Sequence, residues 1–234
     1  MCDQCGCQAN TARGRKVLDI NKSLLEENQK LGEENRRHIQ EMGAVGINII
    51  SSPGAGKTTL LEATADAAAG HFSFGVIEGD IETERDAERI RKKGIPAVQI
   101  TTGGACHLDA HLVHGGIHQI QDTAGPEGLD IIFIENVGNL VCPATFYLGE
   151  HQRIVMVSVP EGSDKPAKYP RAFIGSDLFI ISKADLLPYF DFSMEEASEE
   201  ARRLNPDIKI LTVSAVTGEG MEHWLSYLSG LLNR

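Results

Sequence analysis

Residues 45–59 read VGINIISSPGAGKTT. The first six form a short apolar run of the kind that makes a strand buried on both faces, and it passes through a glycine-bearing loop into the helix-forming stretch LLEATADAAAG. Strand, glycine loop, helix is the order a phosphate-cradling loop demands. Gly54, Ala55 and Gly56 let backbone amides approach an anion, Lys57 reaches the outer phosphates, Thr58 offers a hydroxyl to magnesium, and Thr59 continues the opening turn. Ser51 stands where the consensus for such loops has its first glycine.

Outward from this loop the chain alternates. Six more short runs rich in Ile and Val follow: FGVI (74–77), AVQI (97–100), IIFI (131–134), IVMVSV (154–159), LFIIS (178–182) and KILTV (209–213), each separated by enough chain for a helix. The expected fold is α/β, a three-layer P-loop NTPase with a mostly parallel sheet. Before it, DINKSLLEENQKLGEENRRHIQEM (19–42) carries apolar residues at Ile20, Leu24, Leu25, Leu31, Ile39 and Met42 among many charges, which predicts an amphipathic helix capped by Asp19 or Asn21. Such a helix packs on the domain or on a second copy. The expected organisation is a flexible cysteine-bearing leader over 1–18, the helix over 19–42 and a P-loop domain over 43–234.

A formal charge of -11 and a pI near 5.2 argue against nucleic acid as a partner. No apolar run approaches the roughly 20 residues that cross a membrane. The polar start MCDQCGCQANTARGRK lacks a signal-peptide core, so the expected location is the cytoplasm.

A phosphate loop needs an acid at the end of a neighbouring strand. Glu135 follows the run 131–134 directly, and Asp80 ends an earlier strand in IEGDIETERD, placed to ligate magnesium or to orient the attacking water. Thr58, Asp80 and Glu135 are thus the magnesium candidates, and Lys57, Asp80 and Glu135 the catalytic ones. The segment IISKADLLP resembles the Asn/Thr-Lys-x-Asp guanine reader of G proteins, with Lys183 and Asp185 in register and Ser182 where Asn is usual. Ser214 and Ala215, after the last strand, suit the loop that closes over the guanine edge. The nucleotide expected is GTP.

The five cysteines divide into a cluster and a pair. Cys106 and His107 precede LDAHLVHGG at an expected helix start, where the dipole favours thiolate, and Cys142 comes seven residues after Glu135. If the two segments adjoin, two sulfurs and a nitrogen make an incomplete metal shell; otherwise the cysteines are small buried hydrophobes and His107 a cap. His107, His111, His114 and His118 recur at helical spacing, and the last three read as an exposed or interfacial stripe rather than a metal site. Cys2, Cys5 and Cys7 are fewer and closer together than in a usual structural zinc site, and a cytosolic setting disfavours a disulfide; a nickel trap on a tether is favoured over structural zinc, with adventitious binding as the third reading.

The set CxxCGC, SSPGAGKTTLLE, EGD, TTGGACHLDA, ENVGNLVCP, EGSDKPAKYP and KADLLPYFDF resembles the HypB family, nickel-insertion GTPases of NiFe-hydrogenase maturation, over essentially the whole chain. The resemblance implies a slow GTPase in which Cys106, His107 and Cys142 hold nickel or zinc at a GTP-dependent homodimer interface. It makes Cys2, Cys5 and Cys7 a separate nickel site. It also implies three partners: a HypA-type nickel chaperone, the hydrogenase large-subunit precursor, and a prolyl isomerase with a metal-binding tail. Rival readings are a urease-type nickel accessory GTPase and a nickel or zinc store with negligible turnover. Ser182 departs from the family pattern, as does the lack of a His-rich N-terminal store.

Overall fold

A computed structural model describes residues 7–68, 70–82, 84–125 and 128–232, with residues 7–22 as backbone only. The elements, in order, are α1 (Cys7–Glu41), β1 (Val45–Ser51), α2 (Lys57–Ala67), β2 (Phe74–Asp80), α3 (Arg85–Lys92), β3 (Ala97–Thr101), α4 (Ala110–Thr123), β4 (Ile131–Glu135) and β5 (Gln152–Ser158). They continue with the short α5 (Lys165–Lys168) and α6 (Pro170–Ile174), then β6 (Leu178–Ser182), α7 (Met194–Leu204), β7 (Lys209–Val213) and α8 (Met221–Leu232). All seven expected strands are present. They form one sheet in the order β3-β2-β4-β1-β5-β6-β7, and every neighbouring pair is parallel.

Parallel strands need crossover helices, which cover both faces of the sheet. Alternate residues therefore enter different cores. In β4, Ile131 and Phe133 join the layer under α2, α3 and α8, while Ile132 and Ile134 join the layer under α1 and α4. In β6, Leu178 and Ile180 face the first layer, and Phe179 and Ile181 face α6 and α7. Trp224 of α8 is fully buried and donates its indole N–H to Thr64 Oγ1 at 2.9 Å, which satisfies its one polar atom.

The N-terminal helix begins earlier than expected. α1 starts at Cys7 and runs through Asp19 and Asn21, so neither is its cap, and the stretch 8–16 expected as a tether lies within it. That stretch has no apolar periodicity, so pattern alone gave no sign of helix there. The far half of α1 packs on α4, with Ile39 fully buried, while Leu24 and Leu25 remain exposed. Polar side chains fasten it: Asn28 Nδ2 donates to the Tyr147 carbonyl at 2.8 Å, and Asn28 Oδ1 accepts from the Ala110 amide at 2.8 Å. Asn35 Nδ2 donates to the Ala110 and Leu148 carbonyls at 2.8 and 3.0 Å, and Arg36 Nη1 to the Glu150 carbonyl at 2.6 Å.

Candidate nucleotide and metal centre

The loop between β1 and α2 takes left-handed backbone at Gly54 (φ 74°) and Gly56 (φ 95°), which side-chain-bearing residues rarely adopt. A cleft of about 430 Å³ opens over it, lined by Gly54, Gly56, Lys57, Thr58, Thr59 and acids from two strands. Lys57 Nζ donates to Ser51 Oγ at 3.1 Å and lies 3.9 Å from Glu135 Oε1, so the serine in the place of the first consensus glycine steadies the lysine. Thr58 Oγ1 donates to that same Glu135 oxygen at 2.9 Å, while Glu135 Oε2 is buried with no hydrogen-bond partner.

Sequence reasoning missed Glu78. It sits opposite Glu135 in the parallel register of β2 and β4, is 3% exposed, and its Oε2 is also without a partner. Burial, then the neighbouring Glu135, holds its carboxyl well above the usual range, which favours the protonated form. Burial also raises Glu135, and Lys57 opposes that rise. The available signal was an acid inside the apolar strand FGVIEGD rather than at its end. Asp80, at the end of β2, accepts from the Ile81 and Glu82 amides through Oδ1 and lines the cleft. Asp86 and Arg89 of α3 also line it; Arg89 is held by Glu62 and Asp86 and donates to Thr59 Oγ1 at 3.3 Å. An all-oxygen set of Thr58 and Glu135, with one orphaned carboxylate oxygen, fits a hard cation such as magnesium.

Beside the phosphate loop a second cavity of about 210 Å³ is lined by Ala55, Gly56, Thr59, Ser182, Lys183, Asp185, Ala215 and Val216 among others. Lys183 is the one non-glycine residue with positive φ (58°) among the described residues, and its ammonium donates to the Gly54 carbonyl at 2.8 Å, laying the stem across the loop. Ser214 Oγ donates to Asp185 Oδ1 at 2.6 Å and fixes the carboxylate. Ser182 Oγ donates to the Ala55 carbonyl at 2.7 Å, so it ties the end of β6 to the phosphate loop.

The two cysteine segments do adjoin. Cys106 Sγ donates to Cys142 Sγ at 3.2 Å and lies 3.9 Å from His107 Nδ1, and one ligand atom from each residue falls within 4.8 Å of the others. Two asparagines bring the segments together. Asn136 Oδ1 accepts from the Leu108 and Val137 amides at 3.2 and 3.0 Å, and Asn139 Nδ2 donates to the Cys106 carbonyl at 3.2 Å. The nearby Cys106 sulfur, then burial, pushes the Cys142 thiol up, because two sulfurs this close do not both ionise without a cation. His107 stacks on Phe146 with centroids 4.1 Å apart, and burial lowers its pKa, which keeps a nitrogen lone pair free of a proton.

Two expectations need correction. Cys106 and His107 are not on the first turn of α4: Asp109 is its N-cap, accepting from the Leu112 amide, so the dipole acts there and not on the thiol. His107 accordingly stands outside the histidine column. Cys2 and Cys5, and the side chain of Cys7, lie outside the described residues. Among the described residues no helix is long and apolar enough to cross a membrane.

The family model described as CobW/HypB/UreG, nucleotide-binding domain, matches residues 46–212. The hydrogenase maturation factor HypB of Azotobacter chroococcum mcd 1 is 48% identical over 215 residues, covering 91% of this chain and 68% of its own. The hydrogenase/urease maturation factor HypB of Helicobacter pylori strain J99 is 43% identical over 222 residues, covering 94% of this chain and 90% of its own. The crystal structure of Helicobacter pylori HypB in complex with nickel superimposes with a TM-score of 0.85 at 42% identity, over 88% of this chain and 95% of that one. With a phosphate loop, a base-side cavity and these relatives, the chain belongs to the HypB family of hydrogenase maturation factors, within the CobW/HypB/UreG group of nucleotide-binding domains.

Proposed function

We propose that the protein is a cytoplasmic GTPase that couples GTP hydrolysis to delivery of nickel to the large-subunit precursor of a NiFe hydrogenase. The observation that carries this reading is one short segment. Between Glu135, in the phosphate cleft, and Cys142, at the cysteine pair, only six residues intervene, and Gly138 among them abuts Pro53 of the phosphate loop: a Cβ there would meet Pro53 Cα at 2.9 Å. A change at the phosphates is thus felt at the sulfurs.

In this reading Lys57 leaves Ser51 for the outer phosphates, and Thr58 and Glu135 would hold magnesium, which would supply neutralisation of charge at the phosphate oxygens. Asp185 accepts the guanine N–H groups while Lys183 lies along the base. Asp80 orients the water. Loss of the γ-phosphate releases the segment through Gly138, and Cys142 withdraws from Cys106 and His107. Metal affinity falls because a ligand has moved, and by linkage the metal alters nucleotide affinity or dimerisation.

Nickel is favoured over zinc as cargo at this pair. The two sulfurs, 3.2 Å apart, stand close enough to share one ion, and thiolate and imidazole suit a borderline-soft metal such as nickel. The nickel complex of the Helicobacter pylori relative supports the same choice. Cys2, Cys5 and Cys7 form a second nickel site, and a HypA-type chaperone, the hydrogenase precursor and a metal-binding prolyl isomerase are the partners, with a GTP-dependent homodimer as the acting form. Because one relative is named a hydrogenase/urease factor, delivery to urease is the second reading.

The test is paired. Single-turnover GTP hydrolysis should be measurable in the wild type and lost in Lys57→Ala; equal, vanishing rates would leave a metal store. Nickel affinity should differ between GDP and a non-hydrolysable GTP analogue, and the difference should vanish in Cys142→Ala. Identical affinities in the wild type would end the coupling claim.

A further inference from the structure

Away from the cysteines, three histidines from two helices meet on the surface of the α1/α4 layer. His114 Nε2 and His118 Nε2, one turn apart on α4, face each other at 3.3 Å. The His38 ring of α1 lies 4.7 Å, centroid to centroid, from that of His118 and 6.5 Å from that of His114.

Hydrogen bonding fixes which nitrogen of His114 is bare. Asn35 is fully buried, and both protons of its amide are committed to the Ala110 and Leu148 carbonyls. Its Oδ1 can therefore only accept, and His114 Nδ1, 2.8 Å away, must be the donor. A neutral imidazole with its proton on Nδ1 has its lone pair on Nε2, aimed at His118. This is the outer-shell arrangement that orients metal-ligating histidines, one ring nitrogen held by a protein acceptor and the other presented.

The spacing selects the ion. Zinc–nitrogen bonds of about 2.0–2.1 Å at a tetrahedral angle separate two nitrogens by about 3.3–3.4 Å, whereas a square plane brings them to about 2.9 Å. The 3.3 Å gap fits the tetrahedral case. We infer that His114 and His118 chelate a tetrahedral divalent cation of the zinc class, at a site separate from Cys106, His107 and Cys142, with His38 turning from Gln121 to become the third ligand. His38 Nε2 now shares a surface hydrogen bond with Gln121 Oε1 at 3.0 Å, and its ring stands farther from His114 than from His118, so loading the site asks His38 to leave Gln121 and change rotamer. A loaded site joins α1 to α4, so zinc stabilises the seating of the N-terminal helix.

The experiment is a Zn²⁺ titration of the full chain with Cys2, Cys5, Cys7, Cys106 and Cys142 replaced by Ser, followed through the histidine side-chain nitrogens by long-range ¹H–¹⁵N NMR. A parallel titration uses the wild-type chain with its cysteines already loaded with Ni²⁺, which answers the question even where the serine variant folds poorly. Nε2 of His114 and His118 should shift together at one equivalent, and His118→Ala should weaken zinc binding by about 10–100-fold. His38→Gln should weaken it less, and with the cysteines already loaded with Ni²⁺, Zn²⁺ should raise Tm in the wild type but not in His118→Ala. Unshifted His114 Nε2, or equal zinc affinity in His118→Ala, would mean that the 3.3 Å approach is an imidazole–imidazole hydrogen bond alone, and the site would be withdrawn.

Discussion

Ser182→Ala isolates what a departure from the family pattern does. The hydroxyl is buried and donates to the Ala55 carbonyl at 2.7 Å. Alanine removes the donor and leaves that carbonyl facing a methyl group. A neutral hydrogen bond is worth about 0.5–1.5 kcal/mol net, and a buried acceptor left unsatisfied costs about 1–3, so a loss of about 1–2 kcal/mol is expected. At this chain length each kcal/mol lowers Tm by about 2–4 °C, which gives a shift of about 2–8 °C. The bond joins two buried parts of the fold, so the cost falls on folding stability. Guanine preference rests on Asp185, which Ser214 holds, and should not change. Calorimetric unfolding of Ser182→Ala, with GDP and ADP affinities by titration calorimetry, checks both halves. A wild-type Tm would remove the tie between β6 and the phosphate loop from the account. A lost preference for GDP over ADP at unchanged Tm would mean that Ser182 reads the base.

Three further outcomes follow from geometry already described. Glu78→Gln keeps the side chain's shape and removes its titration, so the fold should persist; because the raised native pKa makes wild-type stability fall as pH rises above the unfolded carboxyl's range, the variant should gain on wild type with rising pH in urea unfolding, and parallel curves would contradict this. Gly138→Ala drives a methyl group against Pro53 backbone at 2.9 Å, and overpacking of about 1–3 kcal/mol should appear as GTP affinity lowered by about 5- to 150-fold; an unaltered Kd would show that the two loops part freely. His151 Nδ1 accepts from the Gly46 amide at 3.0 Å, and burial, with Arg36 nearby, depresses its pKa from 6.5 to about 4. The unfolded chain takes up this proton as pH falls below 6.5 and the native one resists until about 4, so stability is lost across that window. Allowing for screening at a half-exposed ring, the loss is about 1–2 kcal/mol and should be absent from the difference curve's His151→Gln partner, which keeps an acceptor for Gly46.

What was legible in the chain was whatever is contiguous. The strands are mostly apolar runs because the sheet is covered on both faces, and the phosphate loop is a single stretch whose order of strand, glycines, lysine and threonine leaves little choice. Less legible was whatever depends on distant chain meeting. Cys106 and Cys142 are joined by Asn136 and Asn139, whose side-chain bonds no spacing announces. Glu78 becomes notable only once the β2–β4 register sets it against Glu135. The histidines of α4 read as a surface stripe because Asn35 and His38, which change their meaning, arrive from a helix far back in the sequence. The start of α1 was missed for the opposite reason: a polar stretch carries no period to read.

The asparagines of α1 also govern how the N-terminal cysteines can be dissected. Asn28 and Asn35 serve the Ala110 backbone on both its amide and its carbonyl, and they hold Tyr147 and Leu148 on the far side of Cys142. A truncation that takes the leader together with the helix would therefore unseat both walls of the Cys106–Cys142 centre, and loss of nickel binding there would be charged to the wrong cysteines. A deletion ending before Leu24 spares every one of those bonds, and comparing the two cuts separates leader from buttress in one pair of proteins.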